Sequence, residues 1–382
     1  MSSWLSMDEV CRHLSVRPQT IYAYVSRGKL EAMPDPHDSR KSLYRFEDVN
    51  GLVKRKQAGR KHETLAANTL FGSEPSIPTE LSTFHRGHLY YRGQNALDLS
   101  RSGTLEDVAT LLWDSSTPVS FQLHRSQAYA KPGRASAFTV LADMAAAGHS
   151  THGRQRSVLH EEAQNLVAQL GEAFGAKYVE GMPLHMRFAK AWRQPLHVAN
   201  LLRTAMVLLA DHELTSSAFA SRIAASTGAS LPACLLAGLT TLSGPLHGDA
   251  SGRVSALFGE VLRLGEDHVV DRYLSSALPL AGFGHHIYPD GDPRAAVLLQ
   301  MFEPTQEISR FIDRVTKLTG KQPNIDIALA AMVVKYKLPF DAAFGLFATS
   351  RSVGLTAHCI EQLNVSQVIR PRGRYTGKML IS

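Results

Sequence analysis

The stretch Gly282-Phe283-Gly284-His285-His286-Ile287-Tyr288-Pro289-Asp290-Gly291-Asp292-Pro293-Arg294 holds more reactive side chains than a connecting loop needs. A lone histidine beside glycines is more often a loop hydrogen-bond partner than a catalyst. Adjacent histidines rarely bind one metal ion together, and no cysteine or carboxylate cluster completes a metal site here. The stretch therefore indicates substrate chemistry without a metal, provided that other polar segments accompany it.

Five further polar segments accompany this stretch in a fixed order along the chain. They are Asp211-His212-Glu213, Ser243-Gly244-Pro245-Leu246-His247-Gly248-Asp249, Pro323-Asn324-Ile325-Asp326, Ser350-Arg351-Ser352-Val353-Gly354 and Ile369-Arg370-Pro371-Arg372. Each alone has an ordinary explanation. Asp326 would make a helix N-cap, and Arg351 and Arg370 would be surface bases. Their shared order makes them one combined signal.

Amphipathic and apolar runs of helical length surround these segments. The spacing of apolar residues predicts helices over 105–113, 200–211, 219–226 and 231–242, while strand-like alternation is scarce. The chain of 382 residues is long enough for at least two cores. We therefore predict a mainly α fold after residue 74.

Composition narrows the class of protein further. Hydrophobic residues make up 44% and charged residues 20%, which is typical of a globular chain. No apolar run is long enough for a membrane span, and acids stand where a signal peptide would be basic. Only Cys11, Cys234 and Cys359 occur, too few for a disulfide framework. We predict a cytoplasmic protein with no membrane partner.

The N-terminal residues 1–62 form a separate pattern. Ser6 and Glu9 make a capping box that starts a short helix. Pro18 suits the first turn of a second helix, and Gly28 suits its end. A turn-rich segment, a short alternating run through Arg45 and a third helix over 47–56 follow. The segment carries 12 lysines and arginines against 7 acids, so it holds most of the chain's net charge of +7.

This order of elements resembles the winged helix-turn-helix of MerR and excisionase proteins. The resemblance places Arg17, Gln19, Thr20 and Tyr22 at the start of a recognition helix facing a DNA major groove. It places Arg40, Lys41 and Arg45 on a wing that contacts phosphates. The alternative is a module of the same fold that serves protein contacts. Residues 63–74 are expected to form a linker.

The six ordered segments together resemble the citrate synthase family, over residues 75–382. Leu89–Gly93 and Leu105–Trp113 also look like the family's early large-domain region. The resemblance implies a helical homodimer whose subunit has a large domain (75–248 and 337–382) and a small domain (249–336). It implies condensation of acetyl-CoA with oxaloacetate, followed by hydrolysis of the thioester. No cofactor is implied beyond the acyl-CoA substrate.

The resemblance also assigns roles to site residues. The catalytic residues are Asp326 as the base, His247 as donor to the thioester carbonyl, and His285 as donor to the oxaloacetate ketone. Substrate carboxylates are bound by His212, Arg294, Arg351 and Arg370, since guanidinium groups suit carboxylates. Arg370 is expected to reach the partner subunit's site.

Two departures from the family pattern affect the acyl half of the site. Asp249 stands where a glycine or apolar residue is common, and we expect its charge either to raise the pKa of His247 or to alter the acyl pocket. His286 and Pro289 stand where many bacterial members have arginine and lysine. Two alternatives stay open: a 2-methylcitrate synthase using propionyl-CoA, and a DNA-binding regulator that senses oxaloacetate or acyl-CoA.

Overall fold

The computed structural model describes residues 4–14, 16–36, 38–52, 77–123, 126, 129–276, 280–365, 367–370 and 377. The described residues up to Ile77 belong to one compact unit, and residues 78–371 belong to a second. Within these described ranges, no helix combines the length and apolarity needed to cross a membrane. The predicted linker over 63–74 lies outside the described residues.

The first unit is a short α/β module. Its elements are β1 (Trp4–Ser6), α1 (Met7–Leu14), α2 (Pro18–Ser26), β2 (Ala32–Asp35), β3 (Asp38–Arg45) and α3 (46–52). The strands form an antiparallel sheet in the order β1-β3-β2. Its small core consists of Val10, Leu14, Ile21, Leu30, Tyr44 and Val49.

Local sequence signals account for the two helices of this unit. The Ser6 hydroxyl and backbone amide both lie 2.8 Å from Glu9 Oε2, so the predicted capping box is present. Pro18 occupies the first turn of α2, and Gly28 follows the helix with φ of +65°. Strand β1 was not predicted, because three residues are too short to show alternation.

The residues predicted to contact DNA lie on the elements that the sequence indicated. Arg17, Gln19 and Tyr22 are exposed at the start of α2, and Thr20 is partly buried there. On β3, Arg45 forms ion pairs with Glu31 and Glu47. Arg40 and Lys41 lie near the carboxylate of Asp38. The positive charge of β3 is therefore partly offset by nearby acids.

The second unit is mainly helical. A small antiparallel sheet of β4 (Ser82–His85), β5 (His88–Tyr91) and β6 (Gln94–Asn95) precedes its helices. The helices are α4 (Ala96–Ser102), α5 (Leu105–Leu112), α6 (Arg134–Ala147), α7 (Arg156–Ala173), α8 (Leu184–Ala191), α9 (Leu196–Leu209), α10 (Ser216–Ser226), α11 (Leu231–Leu242), α12 (Ala250–Leu264), α13 (Glu266–Ser275), α14 (Pro293–Met301), α15 (Gln306–Thr319), α16 (Ile325–Tyr336) and α17 (Ala342–Leu363).

Helix α17 is the central element of this unit. It is buried along almost its whole length and packs against α5, α7, α9, α10 and α11. A helix that is apolar on all sides is typical of a core position. Helices α12, α13, α15 and α16 pack mainly against one another, and α14 packs on α16. The site residues described next lie where these two groups of helices approach.

The predicted helices occur with small shifts at their ends. Helix α11 has the predicted bounds, whereas α9 and α10 each begin a few residues earlier than predicted. The reading of Asp326 as an N-cap was wrong. Asn324 caps α16 by accepting a hydrogen bond from the Asp326 amide at 3.0 Å. The Asp326 carboxyl is therefore free for another role.

Candidate active site

One cavity of the second unit contains most of the predicted site residues. Its volume is about 540 Å³, and its walls include His212, His247, His285, Arg294, Asp326 and Arg351. The tertiary structure thus brings together residues that are far apart in the sequence. Arg370 is exposed and does not line this cavity within the single chain.

Arg294 is held in place by Asp292. The Arg294 guanidinium donates to both Asp292 carboxylate oxygens, at 3.0 and 2.8 Å, and both side chains are buried. Asp292 also caps α14 and accepts a hydrogen bond from the Ile325 amide at 3.0 Å. Burial opposes the charge on Arg294, but the Asp292 carboxylate outweighs it and raises the Arg294 pKa. The guanidinium is therefore charged and fixed in direction.

Arg351 supplies a second buried guanidinium from α17. Its Nε donates to the Leu209 carbonyl at 2.9 Å, and its guanidinium lies 5.0 Å from the centre of the Phe347 ring. Burial lowers the Arg351 pKa, although arginine stays protonated in proteins. Two fixed positive charges therefore face one cavity, which suits a ligand with more than one carboxylate.

His212 lies between aromatic rings at the cavity wall. Its Nε2 is 3.1 Å from the Tyr288 hydroxyl, and its ring packs edge-on against Phe84. Burial and the charges of Arg294 and Arg351 hold the His212 pKa well below its usual value. The imidazole is therefore neutral and can act as a hydrogen-bond partner for a carboxylate or keto group.

His285 is positioned by a short backbone pairing. Phe283 forms an isolated antiparallel bridge with Pro323, and Gly284 N donates to the Gln322 carbonyl at 2.8 Å. This pairing fixes the His285 loop beside the start of α16. The loop packs so closely that a side chain at Gly282, where φ is +85°, would contact Ile327.

The tautomer of His285 follows from its backbone contact. The Ile287 amide donates to His285 Nδ1 at 3.2 Å, so the proton of the neutral ring is on Nε2. Burial, together with the Arg294 charge, lowers the His285 pKa to about 4. His285 is therefore a neutral donor near pH 7.

Asp326 is a buried carboxyl on the first turn of α16. Burial raises the pKa of Asp326 to about 7, and the nearby positive charge of Arg294 offsets this rise only in part. Within the described residues, Asp326 Oδ1 has no hydrogen-bond partner. A carboxyl in these surroundings is a stronger base than in water, and one of its oxygens is free to accept a proton.

His247 lies on the turn before α12. Its Nε2 is 2.8 Å from the Ser217 hydroxyl, and burial together with the Arg351 charge lowers its pKa to about 4. The expected rise in the His247 pKa from Asp249 was therefore wrong. Asp249 instead forms a bidentate ion pair with Arg134, at 2.9 and 2.7 Å. Its charge is neutralised away from the imidazole.

The sequence reasoning assigned no role to several residues that shape this site. They are Asp292, Tyr288, Ser217 and Asn324. Asp292 and Tyr288 stand inside the Gly282–Arg294 stretch, and Asn324 precedes Asp326 by two residues. Their closeness in sequence to predicted site residues could therefore have identified them as part of the site. Ser217 carried none, because it reaches His247 only through the packing of α10 beside the turn before α12.

The fold is mainly helical, and its cavity holds two guanidinium groups, two imidazoles whose pKa values are lowered by burial and a carboxyl whose pKa is raised by burial. This arrangement suits proton transfer on a small molecule with several carboxylates. The model for the family described as "Citrate synthase, C-terminal domain" matches residues 71–372. The chain belongs to the citrate synthase family, whose members transfer acyl groups.

Individual relatives agree with this family. The citrate synthase of Haloferax volcanii is 28% identical over 349 residues, covering 76% of this chain and 90% of that protein. Citrate synthase 2 of Bacillus subtilis is 33% identical over 187 residues, covering 45% of this chain and 50% of that protein. The chain thus matches about half the length of the second relative.

Solved structures show the same fold. Citrate synthase from Thermotoga maritima superposes with a TM-score of 0.68 at 24% identity, covering 81% of this chain and 96% of that chain. Citrate synthase from Thermoplasma acidophilum, in a ternary complex with carboxymethyl coenzyme A and oxaloacetate, gives a TM-score of 0.68 at 21% identity, covering 82% and 97%. At these identities the likeness establishes the fold.

Proposed function

We propose that this chain condenses an acyl-CoA with oxaloacetate and then hydrolyses the thioester, releasing free CoA. The observation that carries the proposal is the single cavity lined by Asp326, His247 and His285 together with the carboxylate-binding side chains. Acetyl-CoA is the proposed acyl donor. The Thermoplasma relative crystallised with oxaloacetate and a CoA derivative, which supports these substrate classes.

Oxaloacetate is bound by the positive end of the cavity. The guanidinium groups of Arg294 and Arg351 pair with its carboxylates, and the neutral His212 provides a further hydrogen bond. His285 Nε2–H then donates to the ketone oxygen and polarises that bond. A neutral donor suits this role because it stabilises developing negative charge without first giving up its proton to the substrate.

The acyl-CoA methyl group lies against Asp326. The Asp326 carboxylate removes one methyl proton, and the electron pair moves onto the thioester oxygen. If the Ser217 hydroxyl donates to His247 Nε2, the proton of His247 is on Nδ1, which can stabilise that oxygen. The enolate carbon then attacks the ketone carbon. The new alkoxide takes the proton from His285, and the proton held by Asp326 restores the imidazole. Water then attacks the thioester carbonyl carbon: its oxygen bonds to that carbon as the C–S bond breaks, one of its protons goes to the CoA sulfur, and the other is released as the new carboxyl group ionises.

The proposed boundaries are 249–336 for the small domain and the flanking segments 75–248 and 337–382 for the large domain. Their support is that the helices of 250–336 pack mainly on one another. Asp326 and His285 lie in the small domain, whereas His212 and Arg351 lie in the large one. Closure of the domains would exclude water from the enolate.

We also propose a homodimer in which Arg370 completes the second subunit's site. Its support is that Arg370 is exposed and away from its own cavity. Sedimentation of the full chain, with and without Arg370→Ala, tests this assembly. The proposal is supported if the wild-type chain is a dimer and Arg370→Ala binds oxaloacetate weakly. It is contradicted if the wild-type chain is an active monomer.

Free-thiol release tests the reaction itself. Purified protein is mixed with oxaloacetate and either acetyl-CoA or propionyl-CoA. Faster turnover with acetyl-CoA supports the citrate synthase reaction, and faster turnover with propionyl-CoA supports the 2-methylcitrate alternative. The two donors differ by one methylene, so a difference of about 10- to 200-fold is expected. No turnover with either, alongside tight oxaloacetate binding, would favour the sensor alternative.

The first unit is proposed to be a winged helix-turn-helix that binds DNA. Its support is the helix–helix–hairpin order and the exposed Arg17, Gln19 and Tyr22 on α2. Arg17→Ala is expected to weaken binding and lower its salt dependence. Arg45→Ala should weaken DNA binding to a smaller extent, since the charge of Arg45 is already paired with Glu31 and Glu47. If the protein binds no DNA at low salt, the alternative holds that the first unit is a module for contacts with proteins.

A further inference from the structure

One ion pair joins the start of α6 to the start of α12. Arg134 is the first residue of α6, and Asp249 immediately precedes α12, two residues after His247. The guanidinium donates to both carboxylate oxygens, at 2.9 and 2.7 Å. The two side chains are 33% and 21% exposed, so the pair is partly shielded from water.

Arg134 makes a third connection, to α17. Its backbone amide donates to Asp341 Oδ2 at 3.2 Å, and its guanidinium lies 4.0 Å from the centre of the Phe344 ring. Phe344 is one turn before Phe347, which lines the active-site cavity. One arginine therefore ties together the N-termini of α6, α12 and α17.

Asp249 does not serve as a helix cap. It occupies the N-cap position of α12, but its side chain makes no capping hydrogen bond. Its carboxylate is used by Arg134 instead. Backbone hydrogen bonds link the residues around it, from His247 N to the Gly244 carbonyl at 2.9 Å and from Ala250 N to the His247 carbonyl at 3.2 Å. These bonds connect the backbone of Asp249 to that of His247 within one turn.

We propose that the Arg134–Asp249 pair is a positioning device that fixes the 244–252 segment and so aims His247 at the acyl thioester. The proposal rests on the proposed condensation reaction. It predicts an effect on the acyl half of the reaction, in which His247 acts. Oxaloacetate binding should be spared, because His285 and Arg294 lie on other elements. Arg134 and Asp249 are positioning residues, since neither lines the active-site cavity.

A double-mutant cycle tests the pair. Asp249→Asn and Arg134→Gln remove one charge each with little change in size, and the double variant removes both. We expect each single variant to lower kcat by between about 10- and 100-fold, since small misplacements of an acid–base group have effects of this order. The KM for oxaloacetate should change little. The double variant should be no worse than the more damaged single variant.

Hydrogen–deuterium exchange provides a readout that does not depend on turnover. Peptides covering 244–252 should exchange faster in Asp249→Asn than in the wild-type chain. Glu162→Gln is the matched control, because Glu162, which lies on α7, forms a similarly shielded pair with Arg154, which lies just before that helix. It should alter neither kcat nor exchange in 244–252.

Distinct outcomes would overturn the positioning role. If Asp249→Asn has the same kcat as the wild-type chain and the same hydrogen–deuterium exchange in 244–252, the positioning role is wrong. Additive losses in the double variant would show that the two side chains act separately. A change in pH dependence for Asp249→Asn, with no effect of Arg134→Gln, would mean that Asp249 acts only through its charge on Asp326. If the wild-type chain itself has no turnover, the proposed reaction fails, and the exchange result alone decides whether the pair holds the segment.

Discussion

Asp292 and Arg294, separated by one proline, form a bidentate ion pair buried at the base of the active-site cavity. The carboxylate holds the guanidinium in direction, and it also accepts the Ile325 amide at the start of the helix that carries Asp326. Asp292, which orients the proposed substrate-binding Arg294, thus also fixes the segment that carries Asp326, the proposed catalytic base.

Replacing Asp292 should therefore affect both binding and stability. We expect Asp292→Asn to raise the KM for oxaloacetate about tenfold or more, because Arg294 loses its fixed direction. Unfolding free energy should fall by about 3–5 kcal/mol, since a buried charge loses its partner. Steady-state kinetics and urea unfolding measure these effects. Asp290→Asn, an exposed change in the same loop, should have neither effect.

Replacing Asp326 should separate catalysis from stability. Asp326→Asn removes the proposed base, so turnover should fall to background while oxaloacetate binding stays near wild type. The folded pKa of Asp326 is raised from 3.8 to about 7, so ionisation opposes folding as pH rises through that window. Above pH 7 the variant should be more stable than wild type, by on the order of a few kcal/mol.

Calorimetric melting and calorimetric titration with oxaloacetate measure both effects. Asp313→Asn, an exposed carboxyl on α15, is the control and should leave melting and turnover unchanged. Surviving turnover in Asp326→Asn would show that the base has been misassigned.

The pH dependence of turnover should report Asp326. A base is active when deprotonated, so kcat/KM for the acyl-CoA should rise with pH and level off above its pKa of about 7. His247 and His285 have pKa values of about 4 and stay neutral over this range. A rate profile that is flat from about pH 5.5 to pH 8 would contradict the raised pKa.

Asp211 should make the fold sensitive to acid. Burial alone would raise its pKa, but His358, Arg351 and the Ser82 hydroxyl hold it below its ordinary value of 3.8. The folded pKa is thus lower than the unfolded one. The stabilisation that the ionised Asp211 gives to the fold is fully present above pH 3.8, and it is lost as the pH falls through the folded pKa.

We expect Asp211→Asn to lower unfolding free energy by about 3–5 kcal/mol near pH 7, since the buried guanidinium of Arg351 loses a nearby negative charge. The difference from wild type should shrink below the ordinary pKa, as both chains become uncharged at this position. Urea unfolding across the acid range measures it. An equal difference at all pH values would show that Asp211 acts through packing alone.

Much of the second unit was predictable from local pattern. Helix α11 has the predicted bounds because Ser230 caps it and its apolar residues continue to Leu242. The small sheet β4–β6 escaped prediction, since strands of two to four residues show too little alternation. The helix cap at α16 was misassigned to Asp326 because Asn324 offers the same chemistry two residues earlier.

The sequence by itself determined the mainly helical class, the family and six of the side chains that line the cavity, because residue type and order are enough for these. Only the tertiary structure decided their chemical state. Burial raises the pKa of Asp326 and lowers those of His247 and His285, and burial is a property of packing. The tertiary structure also decided that Asp249 pairs with Arg134, which is more than a hundred positions away in the sequence. Asp249 therefore does not act on His247, which stands two residues before it.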